Sequence, residues 1–419
     1  MSSVHIIGAG ISGLAAAVKC AEHGAKVTLY EASDAAGGRC RSFFDPILDR
    51  TIDNGNHLVV AANKSVFQYL KKIGASDELV PLRPPAFPFV HAQTGCRWAL
   101  KPNFGPLPWW TLVPSRRATD TNARDYFALS RLWRSGPDST VSDILESGPA
   151  MEHVWEPLCH AVLNTGTAEA SASLLWASVR RMFRWGALSC QPYLARRDLS
   201  SCFVAPALAH LSQYGANVKF KCQINGIAAI ENKLEALKLR RGTVPLSKTD
   251  KVILATPPWS PLPDLLYRKA APFKTSAILN GHFQLPRDFR LPENSSILGI
   301  IKGTAQWLFI RNGTLSVTVS AADTLMSRNT NALAEELWND SLRCINKSQQ
   351  PLPPYRIVKE RRATIVHSPN QESRRPGSKT RFDNLFVAGD WTDTGLPSTL
   401  ESAVISGFKA ADLACTPPK

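Results

Sequence analysis

The sequence lacks any run of the roughly eighteen consecutive apolar residues that a membrane-spanning helix needs, which excludes a polytopic membrane protein. It also lacks C-x-x-C pairs. Its nine cysteines are odd in number and scattered, which argues against a disulfide or zinc framework and for reduced thiols in a cytoplasmic protein. No basic region precedes the first apolar stretch, and glycines interrupt that stretch, so a secretory leader is not expected. There is no internal repeat, no low-complexity tract and no nucleic-acid motif. Acidic residues are in deficit: 34 Asp and Glu face 49 Lys and Arg, a formal net charge of +15. The basic residues come in separated pairs, among them Arg116-Arg117, Arg180-Arg181 and Arg374-Arg375. They read either as a solvated face or as an attraction to an anionic membrane surface. What remains is a globular chain of 419 residues, 44% hydrophobic and 20% charged, long enough for about two domains.

The most informative stretch is the first forty residues. Val4–Ile7 is a short apolar run of the kind that forms a buried parallel strand. Gly8, Gly10 and Gly13 follow at once in G-x-G-x-x-G spacing; Leu14–Cys20 reads as a helix, and Lys26–Tyr30 as a second strand ending on Glu31. In such a unit Gly8 allows the tight turn, Gly10 lets a pyrophosphate approach the backbone, and Gly13 brings helix and strand close. The helix N-terminus offers free N–H groups to the phosphates. Glu31 is placed to accept from a ribose 2′-hydroxyl, and its charge would repel a 2′-phosphate. These residues predict a dinucleotide site but leave FAD and NAD as alternatives.

Further along, Gly37-Gly38-Arg39 permits close backbone approach and puts a guanidinium near a phosphate. Asp53, Asn54, Gly55, Asn56 and His57 form a contiguous polar cluster ahead of Leu58–Ala62, and Ser65–Ile73 reads as a helix. From Leu79 to Val113 prolines alternate with aromatics, predicting extended strands and loops. The Trp109-Trp110 pair before Arg116-Arg117 is either a membrane-interface anchor or core packing at a domain junction. Ala123–Ser135, Ser142–Leu145, Glu152–Leu163 and Ser173–Phe183 read as helices of a second domain. Cys222–Ile230, Leu234–Leu239 and Lys251–Leu254 read together as a meander beside the nucleotide fold. Leu298–Ile301, Trp307–Ile310 and Leu315–Val319 predict a sheet, and Thr330–Ile345 an amphipathic helix. Near the C-terminus, Leu385–Val387 is another buried-strand run, Gly389-Asp390 a turn bearing a carboxylate, and Ser398–Ala411 a helix. Asp390 would lie at a strand end, where open α/β sheets bind ligands. The helix start at Ser398–Glu401 would face a carbonyl that gains negative charge on reduction.

Taken together, GAGISG at Gly8–Gly13, Glu31, GGR at Gly37–Arg39 and FVAGDWT…STLESAVISG at Phe386–Gly407 resemble the FAD-dependent amine oxidase and phytoene desaturase superfamily. RTIDNGNHLV at Arg50–Val59 is similar to its squalene-associated branch, the hydroxysqualene dehydroxylases; desaturases share the D-x-G-x-H pattern of Asp53, Gly55 and His57, and the two asparagines favour the dehydroxylases. The resemblance implies an α/β fold: a Rossmann-like FAD-binding domain of the glutathione-reductase type over 1–75, 203–260 and 375–419, with a mixed α+β substrate and membrane-facing domain over 76–202 and 261–374. It implies that Gly8, Ala9, Gly10, Ser12 and Gly13 cradle the pyrophosphate and that Glu31 binds the ribose. Gly38 and Arg39 would lie near phosphate and flavin, and Ile224 at the adenine. Gly389 and Asp390 would hold the ribityl chain, with Thr399 and Leu400 at the pyrimidine. Trp391–Ser398 contains no cysteine, so non-covalent FAD is expected. Without a second glycine fingerprint the electron donor is open.

The implied reaction is reductive removal of the hydroxyl of a thirty-carbon isoprenoid alcohol, with His57 as general acid oriented by Asp53 or Asn56. The implied partners are an anionic membrane surface, bound peripherally, and squalene or presqualene synthase-like enzymes. The rival readings are a desaturase or amine oxidase running the flavin in the oxidative direction, and a prenyl-lipid escort protein carrying no flavin.

Overall fold

The structure, a computed structural model, describes residues 3–266, 272–286 and 289–416. Its first layer is a five-stranded parallel sheet in the order Asn217–Lys219, Lys26–Tyr30, Ser3–Ile7, Lys251–Leu254, Leu385–Val387. Parallel strands covered on both faces need apolar residues in succession rather than in alternation. Val4, Ile6, Val252, Ile253 and Val387 are accordingly without solvent exposure. This corrects the expected meander. Ile224–Ile230 and Lys233–Leu239 do pair antiparallel, but their third strand is Thr243–Pro245, whereas Lys251–Leu254 leaves for the parallel sheet beside the first strand. The unbroken burial of Val252, Ile253 and Leu254 suits a central parallel strand, not a half-exposed ribbon.

Helix Ile11–Glu22 crosses that sheet and is itself covered by the C-terminal helix Leu400–Cys415. Ala15, Ala16 and Ala17 are completely buried between them, so small side chains set the spacing. A Cβ on Gly407 would fall 2.3 Å from the Ser12 carbonyl oxygen, which leaves glycine as the residue that fits.

The second layer is a seven-stranded mixed sheet in the order Tyr355–Ile365, Thr275–Gln284, Thr314–Val319, Trp307–Arg311, Ile297–Ile301, Phe87–His91, Arg97–Leu100. The proline-rich stretch thus supplies two edge-proximal strands, with Phe87–His91 running parallel to Ile297–Ile301. Helix Thr330–Cys344 packs Leu333, Leu337 and Trp338 into one face of this sheet. Against the end carrying Phe87 and Phe89 lies a helical layer: Ala123–Ala128, Val141–Ile144, Glu156–Leu163 and Ala172–Phe183. Two of these helices, Ala123–Ala128 and Glu156–Leu163, are shorter than the sequence pattern predicts. Leu129–Arg134 tightens into a 3-10 turn and Met151–Trp155 widens into a π turn ahead of Pro157. A proline near a helix start has no N–H to lose, so Glu156–Leu163 begins there without cost.

Candidate active site

Where the first strand meets helix Ile11–Glu22, the backbone is built for close approach. Gly8 has φ +103°, donates its N–H to the Tyr30 carbonyl at 2.8 Å, and leaves no space for a side chain: a Cβ would lie 2.6 Å from the Ala255 oxygen. A Cβ on Gly13 would lie 1.9 Å from the Gly8 oxygen. At Gly10 the opposite holds, with nothing within 4 Å, so this face of the turn is open. Gly10 caps the helix without a side-chain acceptor, and the first N–H groups of a helix have no internal partner. Ala9 and Ser12 are buried beside it. The Glu31 carboxylate accepts from the Ala9 N–H at 2.8 Å and from Ser33 N–H and Oγ, both at 2.9 Å, which fixes its position at the strand end. Gly38 (φ +58°) comes next to the Gly10 Cα, and Ile224, buried at the start of its strand, lines the same wall.

The chain's other end closes the site. Gly389 (φ +155°) donates to Ser406 Oγ at 2.9 Å and turns the backbone so that Asp390 is buried facing Arg39. Arg39 donates to Asp390 Oδ1 at 2.6 Å and to the Ala363 carbonyl, and lies over the Trp259 ring at 5.6 Å. Thr399 caps helix Leu400–Cys415 through its hydroxyl, which accepts from Ser402 N–H. The N–H groups of Leu400 and Glu401 are left facing away from their own helix.

One cavity of about 1050 Å³ runs from Gly8, Gly10 and Glu31, past Asp390 and Ser398, into a chamber walled by Phe87, Tyr126, Trp155, Leu158, Val179 and Trp307. Its volume is at the upper end of small-molecule sites. Asn56 and His57 line the junction between the two parts. Burial pushes the His57 pKa down to about 4; the Asp53 carboxylate opposes this and the Arg39 guanidinium adds to it.

Two expected pairings are not made. Asp53 does not orient His57: its carboxylate accepts from Ser42 Oγ at 2.6 Å, from Leu199 N–H at 2.9 Å and from Arg311. Asn56 does not either, because its amide donates to Thr318 Oγ1 at 2.9 Å, and Thr318 in turn donates to Asn280 Oδ1 at 2.8 Å. The contiguous sequence cluster is thus split by its strand: Asp53 faces inward to a hairpin, while Asn56 and His57 turn to the cavity. The tryptophan pair divides as well. Trp110 is 5% exposed, packed on Tyr126 and Phe183, while Trp109 is 48% exposed under Arg116.

The chain matches the profile of the flavin containing amine oxidoreductase family over residues 11–415. It is 38% identical to a hydroxysqualene dehydroxylase of Zymomonas mobilis, with 99% of each chain covered, and 40% identical to one of Rhodopseudomonas palustris, with 98% of each covered. The chain belongs to the hydroxysqualene dehydroxylase branch of the flavin-containing amine oxidoreductases. Solved structures share its fold: cyclohexylamine oxidase of Brevibacterium oxydans superposes with a TM-score of 0.70 at 16% identity, covering 99% of this chain and 98% of that one. A redesigned putrescine oxidase superposes at 0.72 and 15% identity, with 98% of both chains covered.

A flavin amine oxidoreductase with a dinucleotide turn is an FAD-dependent oxidoreductase, and FAD is the cofactor of this enzyme. The residues present fit it. The turn is open at Gly10, the carboxylate of Glu31 is held at the second strand's end, and at the far helix start the N–H groups of Leu400 and Glu401 have no partner within their own helix. Sequence reasoning missed several residues in or beside this cavity. Thr318 lies on a strand that read only as part of a sheet, and neither Asn280 nor Trp259 carried a signal of its own. Arg375 read as part of a surface pair, yet it is buried. The glycine motifs at Gly8–Gly13, Gly37–Arg39 and Gly389-Asp390 and the Asp53–His57 cluster carried a local signal; the missed residues are brought to the site by strand register and chain folding.

Proposed function

We propose that the enzyme removes the hydroxyl of hydroxysqualene reductively to give squalene, using non-covalently bound FAD. The observation that supports this best is a single cavity joining a dinucleotide cradle to an aromatic and aliphatic chamber with a few polar groups at the junction. The near full-length identity of 38–40% to hydroxysqualene dehydroxylases points the same way.

In this reading Gly8, Ala9, Gly10, Ser12 and Gly13 surround the pyrophosphate, Glu31 takes the adenosine ribose, and Ile224 lies at the adenine. Gly38 and Arg39 flank the phosphates, Gly389 and Asp390 hold the ribityl chain, and Thr399 and Leu400 meet the pyrimidine edge. The bound flavin, once reduced, supplies the hydride that replaces the C–O bond. The protein supplies the rest. The chamber holds the hydrocarbon and excludes water, and the Asn56–Thr318–Asn280 chain gives the substrate hydroxyl its polar contacts. As the C–O electron pair passes to oxygen, His57 delivers a proton, so that water rather than hydroxide departs.

Pro106, Pro108 and Phe127 line the chamber on a rim of chain that also exposes Phe104, Leu107 and Leu112. With Arg116 over Trp109 and a net charge of +15, this rim has the composition of a surface that rests on anionic lipid, from which a thirty-carbon alcohol would enter. Among the described residues no helix is long and apolar enough to cross a membrane.

Anaerobic incubation of the photoreduced enzyme with hydroxysqualene is expected to yield squalene and oxidised flavin in equal amounts. Unchanged hydroxysqualene beside persistently reduced flavin would remove the proposal.

A further inference from the structure

The cavity wall between Asp390 and Ser398 is a loop with little regular structure, and what holds it is a buried cluster outside both expected site motifs. Arg375 has five N–H donors. Here all five find acceptors: the carbonyls of Trp391 at 3.3 Å, Leu396 at 2.8 Å, Asp390 at 3.0 Å and Thr392 at 2.6 Å, and Glu372 Oε2 at 2.7 Å. The other Glu372 oxygen meets His367 Nδ1 at 2.6 Å. His367 Nε2 accepts the backbone N–H of Ser398 at 2.9 Å. The arrangement assigns the tautomer: Nδ1 carries the proton toward the carboxylate and Nε2 is left as acceptor. The His367 and Arg375 side chains are each only 1% exposed.

Nothing in the dehydroxylation itself calls for these three side chains, and none of them lines the cavity. Without the cluster the Thr392 carbonyl and the Ser398 N–H would lose their partners next to an apolar site, and the Asp390 and Leu396 carbonyls would keep only hydroxyl donors at 3.3–3.5 Å. The backbone of His367 is tied in turn to the helical layer, accepting from Ser171 N–H at 2.8 Å and donating to Thr165 Oγ1 at 3.1 Å. The cluster therefore anchors the loop to the wall of the substrate chamber.

We infer that His367, Glu372 and Arg375 are positioning residues that set the bed of the flavin ring, fixing residues 390–398 and with them the entry to helix Leu400–Cys415. This rests on the ring lying against that loop. A ring bed held by fixed dipoles sets both how tightly the flavin is bound and how readily it is reduced.

The test compares His367→Ala, Glu372→Gln and His367→Gln with the wild type by FAD titration of the apoprotein, visible spectrum and flavin midpoint potential, alongside apoprotein melting. His367→Ala and Glu372→Gln are expected to weaken FAD by about tenfold or more and to shift spectrum and potential. His367→Gln, whose amide can donate to Glu372 and accept from Ser398, is expected to stay within about threefold of wild type. Should His367→Ala fail to fold, the contrast between Glu372→Gln and His367→Gln decides. Wild-type affinity, spectrum and potential in Glu372→Gln, even with lowered melting, would reduce the cluster to a fold element and overturn the inference. Failure of the wild type itself to bind FAD would instead remove the placement of the ring.

Discussion

The imidazole of His57 is neutral at pH 7, because burial and the nearby Arg39 outweigh the pull of Asp53. With a pKa of about 4, roughly one molecule in a thousand carries the imidazolium at that pH. That minor form is a strong acid, suited to a poor leaving group. The sign follows directly: each unit fall in pH multiplies the imidazolium about tenfold until the pKa is reached. The single-turnover rate of the reduced enzyme is therefore expected to rise about tenfold per pH unit from pH 8 down to pH 5. His57→Gln is expected to be slower by about a hundredfold and nearly flat with pH, read by stopped-flow flavin absorbance. A flat wild-type profile would assign the proton to another donor. The residues were unequally legible at this scale. His57 was visible because five polar or glycine residues stand together, but the partners of Asp53 lie at Ser42, Leu199 and Arg311, beyond any local pattern.

At the scale of elements, the decisive contact is between helix Leu400–Cys415 and its neighbours. Glu401, 2% exposed, accepts from the N–H groups of Ser65 and Val66 at the start of helix Lys64–Lys72 and from Arg181 at 3.1 Å. One carboxylate thus sits at the positive starts of two helices, a favourable place for an anion. Glu401→Ala would leave two N–H groups and a guanidinium without their acceptor, and is expected to lower stability by roughly 2–4 kcal/mol in denaturant unfolding of the FAD-free protein. An effect below about 0.5 kcal/mol, the usual size for a surface change, would show that water replaces the carboxylate. The elements themselves were largely readable. Strands at Val4–Ile7 and Leu385–Val387 announce themselves by short apolar runs and Lys26–Tyr30 by its β-branched and aromatic residues, and their glycine punctuation marks the turns. Lys251–Leu254 was found but assigned to the wrong sheet, since a four-residue apolar run says nothing of its neighbours. The helices starting at Ala123 and ending at Leu163 were over-extended because 3-10 and π turns keep nearly the same side-chain spacing as an α-helix.

Across the whole molecule, the two layers meet around one cavity, and its apolar rim and the basic surplus of the chain face the same question of how a water-insoluble alcohol arrives. Phe104 and Gly186 form an isolated bridge, and Ala187 N–H donates to the Asn103 carbonyl at 2.8 Å. These contacts join the exposed Leu107 and Trp109 to Trp185 and Leu188 as one patch. On the proposed membrane contact, apolar insertion and charge attraction would act together. The protein is expected to float with vesicles containing anionic lipid at low salt, and to be released in large part at about 0.5 M salt, where screening is short-ranged. Leu107→Asp with Trp109→Ala is expected to abolish flotation while FAD stays bound. Equal flotation with neutral vesicles at every salt concentration would count against an electrostatic component.

The parallel sheet also has a temporal side. Its strands are drawn from residues 3–30, 217–219, 251–254 and 385–387, and Gly407 closes on Ser12. A chain that folds as it is made owns the glycine turn long before residues 389–407 exist to form the opposite wall. The cradle is therefore complete only once those residues have been made, and a polypeptide cut before helix Leu400–Cys415 is expected to be colourless.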